Sequence, residues 1–377
     1  MISIITAIVM MGAMPDSYLL RTADALDRAQ EDIPIMVQAS EMVAKRIVAG
    51  GVLYAGGNPS LVSEITGRAG GLMLTATLPE KINTDIDAVL FFVDAEHPVP
   101  EEASAPGACW VIFGVTQSIP GVTTLLMQDY GLSPTLTIAI YAWMFTAELI
   151  SACTRLGKMP VLFESIGLYG GIPRIQKYQG NHIFWHDTHE VPPIPQGVLA
   201  KEYATRISAM LRRCESHHRV DFDTIGAWVA EAKKAGRTLT MYSMGHLFPD
   251  EVAKTAIGSL FKSEVWNAGF SYIPEPKDVY SSGDVVIHIG YQHPPRNMLE
   301  RAKSSGAKAV YVAPYMDRDF PTDKNTVWID PMWPFGDACV PIPGYDIPAL
   351  ASSGIVNGAI AWELYRVSCE HIKKLMQ

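Results

Sequence analysis

Apolar residues recur along the chain in two kinds of run. Over 17–31, and again after Asp32, they fall three and four positions apart, with Ile35, Val43 and Ile47 on one face of the second stretch. That spacing predicts two amphipathic helices, the first capped by Asp16, the second entered through Pro34 and stopped at Gly50-Gly51. Short continuous runs follow at Val52–Ala55, Ala88–Val93 and Trp110–Phe113. They are too short for helices and are read as buried strands. A helix over 61–69 follows the first strand, and a long, mostly apolar helix over 133–156 closes the series. The same order then returns, with strands at Leu239–Tyr242, Val285–Ile289 and Ala309–Val312 and a closing helix over 352–374.

The return is a repeat. Tyr54 and Tyr242, Gly57 and Gly245, Gly70 and Gly258, and Leu72 and Leu260 are each 188 positions apart. His97 and His293, each followed by proline, are 196 apart, while Ser133/Ser352 and Trp143/Trp362 are 219 apart. An offset that is constant within an element and steps up between elements is what loop insertions leave in a duplicated unit. Strands alternating with helices predict a mainly parallel sheet covered on both faces. The expected fold is therefore α/β: two tandem three-layer units, 1–157 and 221–377. A Pro-, Gly- and His-rich insertion at 158–220 joins them, with a helix near 198–215.

A length of 377 residues agrees with two domains. Charged residues make up 18%, below the roughly 25% of an average globular domain, which implies much buried surface and a homodimer or larger assembly. The net charge of -9 and the lack of a dense Lys/Arg run argue against nucleic acid as a partner. The five cysteines contain no C-x-x-C pair and outline no disulfide or zinc framework. The apolar segment 2–14 is shorter than the roughly 20 residues that span a bilayer, and it lacks the basic start of a signal peptide. The expectation is a cytoplasmic protein with no membrane partner.

The segment Ala49-Gly50-Gly51-Val52-Leu53-Tyr54-Ala55-Gly56-Gly57-Asn58-Pro59-Ser60, with Glu64 and Arg68-Ala69-Gly70-Gly71-Leu72, resembles the first strand, turn and helix of the sugar isomerase (SIS) superfamily. Gly336-Asp337-Ala338 and Ser352-Ser353-Gly354 resemble the same group's last strand and closing helix. The resemblance covers most of the chain, once per copy. It implies flavodoxin-like units, a sugar or sugar phosphate as the small-molecule partner, and isomerisation without metal or organic cofactor. In that family a Ser/Thr-rich turn after the second strand binds the phosphate. Here those turns read Asp94-Ala95-Glu96-His97-Pro98 and Gly290-Tyr291-Gln292-His293-Pro294, with no Ser or Thr in either and two carboxylates in the first.

Moving a proton between neighbouring sugar carbons takes a base, and opening the ring takes an acid or base. Glu64, one turn into the helix after the glycine turn, is the first candidate base; it equally fits a glutamate that stabilises a helix start. His246 stands in the second turn where Asn58 stands in the first, with Glu251 on its helix; ungapped, Glu251 aligns with Ser63. His293 and His97 recur at matching strand ends, as acid–base groups or as loop anchors. Gly57, Asn58, Ser60, Ser243 and Gly245 offer backbone and side-chain contacts to substrate, although Ser60 equally reads as a helix cap. Three histidines, Asp187 and Glu190 crowd into 182–190, a set that could hold a divalent metal, contact substrate through His186, or be structural. No metal is assigned. Three functions stay open: a sugar isomerase, a non-catalytic sugar or sugar-phosphate binder, and a metal-dependent lyase or hydrolase centred on 182–190.

Overall fold

The computed structural model of the chain describes residues 17–168, 170–187, 189–245, 248–266, 276–291, 295–314 and 323–377. The apolar segment 2–14, the cap Asp16, His246 and His293 lie outside the described residues.

The first repeat begins with helices α1 (Tyr18–Ala29) and α2 (Ile33–Val48), the latter with Pro34 in its first turn. Strand β1 (Leu53–Gly57) and the short helix α3 (Pro59–Ile65) follow, then β2 (Thr75–Thr77), β3 (Ala88–Phe92), β4 (Trp110–Val115) and β5 (Thr123–Leu126). All pairings are parallel, and the order is β2-β1-β3-β4-β5. Helix α4 (Pro134–Arg155) is apolar all round because it is core all round: every residue from Leu136 to Thr154 is buried. It is the one described helix long and apolar enough to cross a membrane, and its apolar surface is spent inside the protein.

The insertion carries β6 (Met159–Pro160), α5 (Gly171–Tyr178) and β7 (Trp185–His186), with β6 and β7 antiparallel. Helix α6 then runs unbroken from Val198 to Lys234, far beyond the 198–215 read from sequence. Its polar middle reads as an end, but the i,i+4 pair Arg219–Glu215 and the i,i+3 pair His218–Asp221 brace it there. It stops at Gly236, whose φ is +64°.

The second repeat supplies β8 (Leu239–Ser243), α7 (Phe248–Ala253), α8 (Ala256–Leu260), β9 (Lys262–Val265), β10 (Val285–Ile289), α9 (Arg296–Ser305), β11 (Lys308–Val312) and β12 (Thr326–Ile329). A two-stranded ladder of β13 (Ala338–Val340) and β14 (Ala349–Ala351) precedes the closing helix α10 (Ser353–Met376). The second sheet is also parallel throughout, in the order β9-β8-β10-β11-β12. Strand for strand this is the order of the first sheet. The fold is α/β with two five-stranded parallel sheets, each of the doubly wound 2-1-3-4-5 order.

Two compact units form, stitched from separate stretches of chain. One comprises 24–208 and 336–355 and holds the first sheet; the other comprises 1–23, 209–335 and 356–377 and holds the second.

Candidate functional site

In a 2-1-3-4-5 sheet the chain leaves neighbouring central strands toward opposite faces, which opens a crevice beyond their carboxyl ends. In the unit of the first sheet those strands are β1 and β3. Gly57 ends β1 with φ +89°, and a Cβ there would lie 2.1 Å from the Phe92 carbonyl oxygen, so only glycine fits the register. Asn58 follows and caps α3, its Oδ1 accepting from the backbone N–H of Ser60 (3.0 Å) and Leu61 (3.1 Å). Ser60 is buried behind it.

From the end of β3, Asp94 turns its carboxylate onto the same spot. Asn58 Nδ2 donates to Asp94 Oδ2 at 2.6 Å, while the backbone N–H groups of Glu96 (2.9 Å) and His97 (2.7 Å) donate to Oδ1. The ring of His97 adds Nδ1 at 2.8 Å from Oδ1. Partial burial pushes the Asp94 carboxyl up, but the hydrogen bonds from His97, Asn58 and the loop amides outweigh it and hold it below the usual aspartate value. An ionised carboxylate only accepts, so His97 Nδ1 carries the proton that bonds Asp94. Asp94 and His97 are each about one-third exposed (30% and 32%), so the pair meets solvent. Gly57, Asn58, Ser60 and His97 therefore stand together at the ends of β1 and β3. Asp94, one of the two carboxylates of the first turn, ties Asn58 to His97.

Glu64 lies deeper, with no exposed surface. Trp143 Nε1 donates to its Oε1 at 3.0 Å and Arg68 Nη1 to its Oε2 at 3.0 Å. The guanidinium continues to Asp337 Oδ2 at 2.6 Å, and Asp337 also accepts from the backbone N–H groups of Ser352 (2.9 Å) and Ser353 (2.7 Å). Burial pushes the Asp337 carboxyl up, yet Arg68 and these N–H groups hold it below its ordinary value. Gly70 completes this knot. A Cβ there would meet the Leu350 nitrogen at 2.3 Å, and its backbone exchanges hydrogen bonds with Phe163 and Leu350. The Arg68–Leu72 segment is thus an anchor for the chain around 337–353, and Glu64 is built into that anchor.

The second repeat keeps the same device. Glu251 is buried and accepts from Trp362 Nε1 at 2.6 Å, as Glu64 does from Trp143. The structural partner of Glu251 is Glu64, not Ser63: the helices slip by one residue between Gly57/Gly245 and Gly70/Gly258. At the end of β8, Ser243 is fully buried and its Oγ has no hydrogen-bond partner among the described residues. Gly245 has φ +128° and faces the Tyr291 hydroxyl, 3.2 Å from where a Cβ would stand. In strand register Val93 and Gly290 correspond, each donating its N–H to the end of the next strand, so Tyr291 stands where Asp94 does and His288 where Phe91 does. His288 is fully buried between the Trp266 and Tyr311 rings (5.2 and 5.7 Å), and burial lowers its pKa to about 3. His246 and His293 fall outside the described residues here.

His186 is engaged in a separate network. Its Nε2 lies 2.9 Å from the Tyr345 hydroxyl, which also receives Arg174 Nη2 at 2.8 Å. Arg174 forms a forked pair with Asp346, Nη1 to Oδ2 at 2.6 Å and Nη2 to Oδ1 at 3.1 Å. Burial, the neighbouring His189 and the Arg174 charge lower the His186 pKa to about 4. Among the described residues no three His, Cys, Asp or Glu side chains converge as a metal site, and the described members of 182–190 do not do so.

A duplicated, doubly wound α/β chain with an Asp–His pair at one crevice is the class that fold and geometry define. No known protein family and no curated protein matches this chain. Solved structures do, over nearly its whole length. The C-terminal domain of glucosamine-fructose-6-phosphate aminotransferase from Francisella tularensis is 9% identical, with 96% of this chain and 97% of that one covered and a TM-score of 0.44. A protein from Salmonella typhimurium LT2, provisionally described as sugar-binding, is 10% identical over 94% and 99%, with a TM-score of 0.46. A protein from Silicibacter pomeroyi DSS-3, provisionally described as a phosphosugar isomerase, is 9% identical over 96% and 98%, with a TM-score of 0.41. At these identities the likeness is one of fold.

Proposed function

We propose that the protein is an acid–base enzyme acting on a sugar, with its centre in the β1/β3 crevice and His97 as the group that moves the proton. The observation that carries this reading is the 2.8 Å contact between Asp94 and His97 Nδ1 just beyond the carboxyl end of β3, a switch-point strand. A carboxylate on Nδ1 fixes the tautomer with a basic Nε2 and stabilises the imidazolium that forms when Nε2 takes a proton. In an aldose–ketose isomerisation Nε2 takes the proton from the carbon beside the carbonyl and returns it to the neighbouring carbon. Asn58 holds Asp94 in register and retains a second amide N–H for a substrate oxygen. The resemblance of 49–72 to sugar isomerases supports sugar as the substrate class, and homodimeric assembly and a cytoplasmic setting belong to the same reading. Glu64, held by the buried Trp143 indole, supports the crevice from behind.

The test is proton NMR in D2O with an aldose, ketose and amino-sugar panel and the corresponding 6-phosphates. Loss of the signal beside the carbonyl, at a rate that His97→Gln lowers about 10²–10⁴-fold with binding retained, is the expected result. Thermal stabilisation by a sugar without exchange would make the protein a binder. No exchange and no stabilisation by any member would overturn the reading.

A further inference from the structure

We propose that Asp94 is an internal anion that occupies the oxyanion position of this crevice, so that the site takes uncharged sugars and turns phosphate esters away. This inference rests on the crevice being the sugar site. Four donors converge on the two Asp94 oxygens: Asn58 Nδ2, the Glu96 and His97 amides, and His97 Nδ1, all within 2.6–2.9 Å. Backbone N–H groups and polar side chains gathered at a strand end are what such a fold presents to a bound anion. Here the chain fills that cradle itself. The first free amides of α3 are also consumed, since Asn58 Oδ1 accepts from Ser60 and Leu61.

The charge around the crevice agrees. Between 88 and 105 the chain has four carboxylates, Asp94, Glu96, Glu101 and Glu102, and no Lys or Arg. Across β1 and α3 there is no Lys or Arg either, and Arg68 beyond them is committed to Glu64 and Asp337. A phosphate entering would meet an ionised carboxylate with its donors already taken, and like charges at contact strongly oppose binding. A neutral sugar gains instead, because Oδ2, which accepts only from Asn58, has a lone pair left for a hydroxyl hydrogen.

Isothermal titration of the full chain with inorganic phosphate tests this directly. The wild type is expected to show no saturable binding. Asp94→Ser, which frees the cradle, is expected to bind phosphate at least about tenfold more tightly than the wild type, and adding Asn58→Ala should abolish the gain. If Asp94→Ser does not fold, Asp94→Ala serves, since it removes the same carboxylate. Phosphate binding by the wild type that Asn58→Ala removes, or no gain in a folded Asp94 variant, would overturn the proposal. The titration involves no turnover, so the two readings fail separately. A gain in the Asp94 variant with no response to any sugar removes the sugar enzyme and keeps the internal anion. Turnover of a sugar phosphate by the wild type does the reverse.

Discussion

Replacing Arg68 by methionine removes the one cation from a buried group of two carboxylates. Arg68 is 2% exposed, and Glu64 and Asp337 are 0% and 3% exposed. Removing one partner of a buried ion pair costs about 3–5 kcal/mol, because the other charge stays behind without compensation. The residual donors set the scale here. Asp337 keeps the Ser352 and Ser353 amides, and Glu64 keeps the Trp143 indole at 3.0 Å. A carboxyl that can no longer hold its charge takes a proton, which from a usual value near 4 costs at most about 4 kcal/mol at pH 7. We therefore expect Arg68→Met to destabilise this unit by about 3–5 kcal/mol at pH 7. The sign of the pH dependence follows. Without Arg68 the folded-state carboxyl values rise above the unfolded ones. The variant then loses stability as pH climbs from about 4 toward the raised values, by up to about 1.4 kcal/mol per unit per carboxyl. Urea unfolding followed by tryptophan fluorescence from pH 5 to 8 measures both. A loss below about 1 kcal/mol, or a deficit that does not grow with pH, would refute the account of the network.

Trp143→Phe and Trp362→Phe each deprive a buried carboxylate of one donor and should cost about 1–3 kcal/mol apiece in urea denaturation. The two costs should add within about 0.5 kcal/mol, since the residues lie in different compact units. Gly70→Ala puts a Cβ 2.3 Å from the Leu350 nitrogen at φ +74° and should lower stability by more than about 2 kcal/mol, with hydrogen exchange rising first over 68–73 and 349–353. His186 and His288 ionise near 4 and 3 in the folded chain, against about 6.5 when unfolded. The unfolded state then binds more protons below pH 6.5, so stability should be flat above 6.5 and fall toward pH 4.5. Urea midpoints across that range check this, and His288→Phe, which removes the depressed imidazole, should flatten the slope.

The parts of the fold that were legible in the sequence are those whose signal is local. Ala88–Phe92 is a continuous apolar run, and Val285–Ile289 one broken only by His288, because both faces of those strands are covered, and they emerge at nearly the bounds expected. The outer strands β2, β5, β9 and β12 were not legible. They are three or four residues long, half exposed and rich in Thr, Lys and Glu, so neither alternation nor a buried run marks them. The single helix over 198–234 was hidden for a related reason: its middle is polar, and what holds it are pairs along its own surface.

At the site the difference between local and distant information is sharper. Asn58, Ser60 and His97 were readable because a strand end, a glycine turn and a helix start fix where such residues stand. Glu64 was drawn as a base by position alone, one turn past the glycine turn. Its helical phase carries the other meaning: it falls three residues after Leu61 and directly before Ile65, both buried, and four before Arg68. That phase sets it in the core stripe. What no local pattern could supply is its neutralising chain, since Arg68 reaches Asp337 across 269 positions. The paired tryptophans at offset 219 were the visible trace of it. Each marks the place where a closing helix returns over the first helix after a glycine turn, and the carboxylate under each indole is there to be bonded. Asp94 is the converse case. Its charge was plain in the sequence, but whether that charge faces an incoming ligand or is spent on the loop depends on two amides and an asparagine 36 residues away. The structure spends it on the loop, and in the proposed site that one carboxylate both orients His97 and sets the charge an incoming sugar would meet.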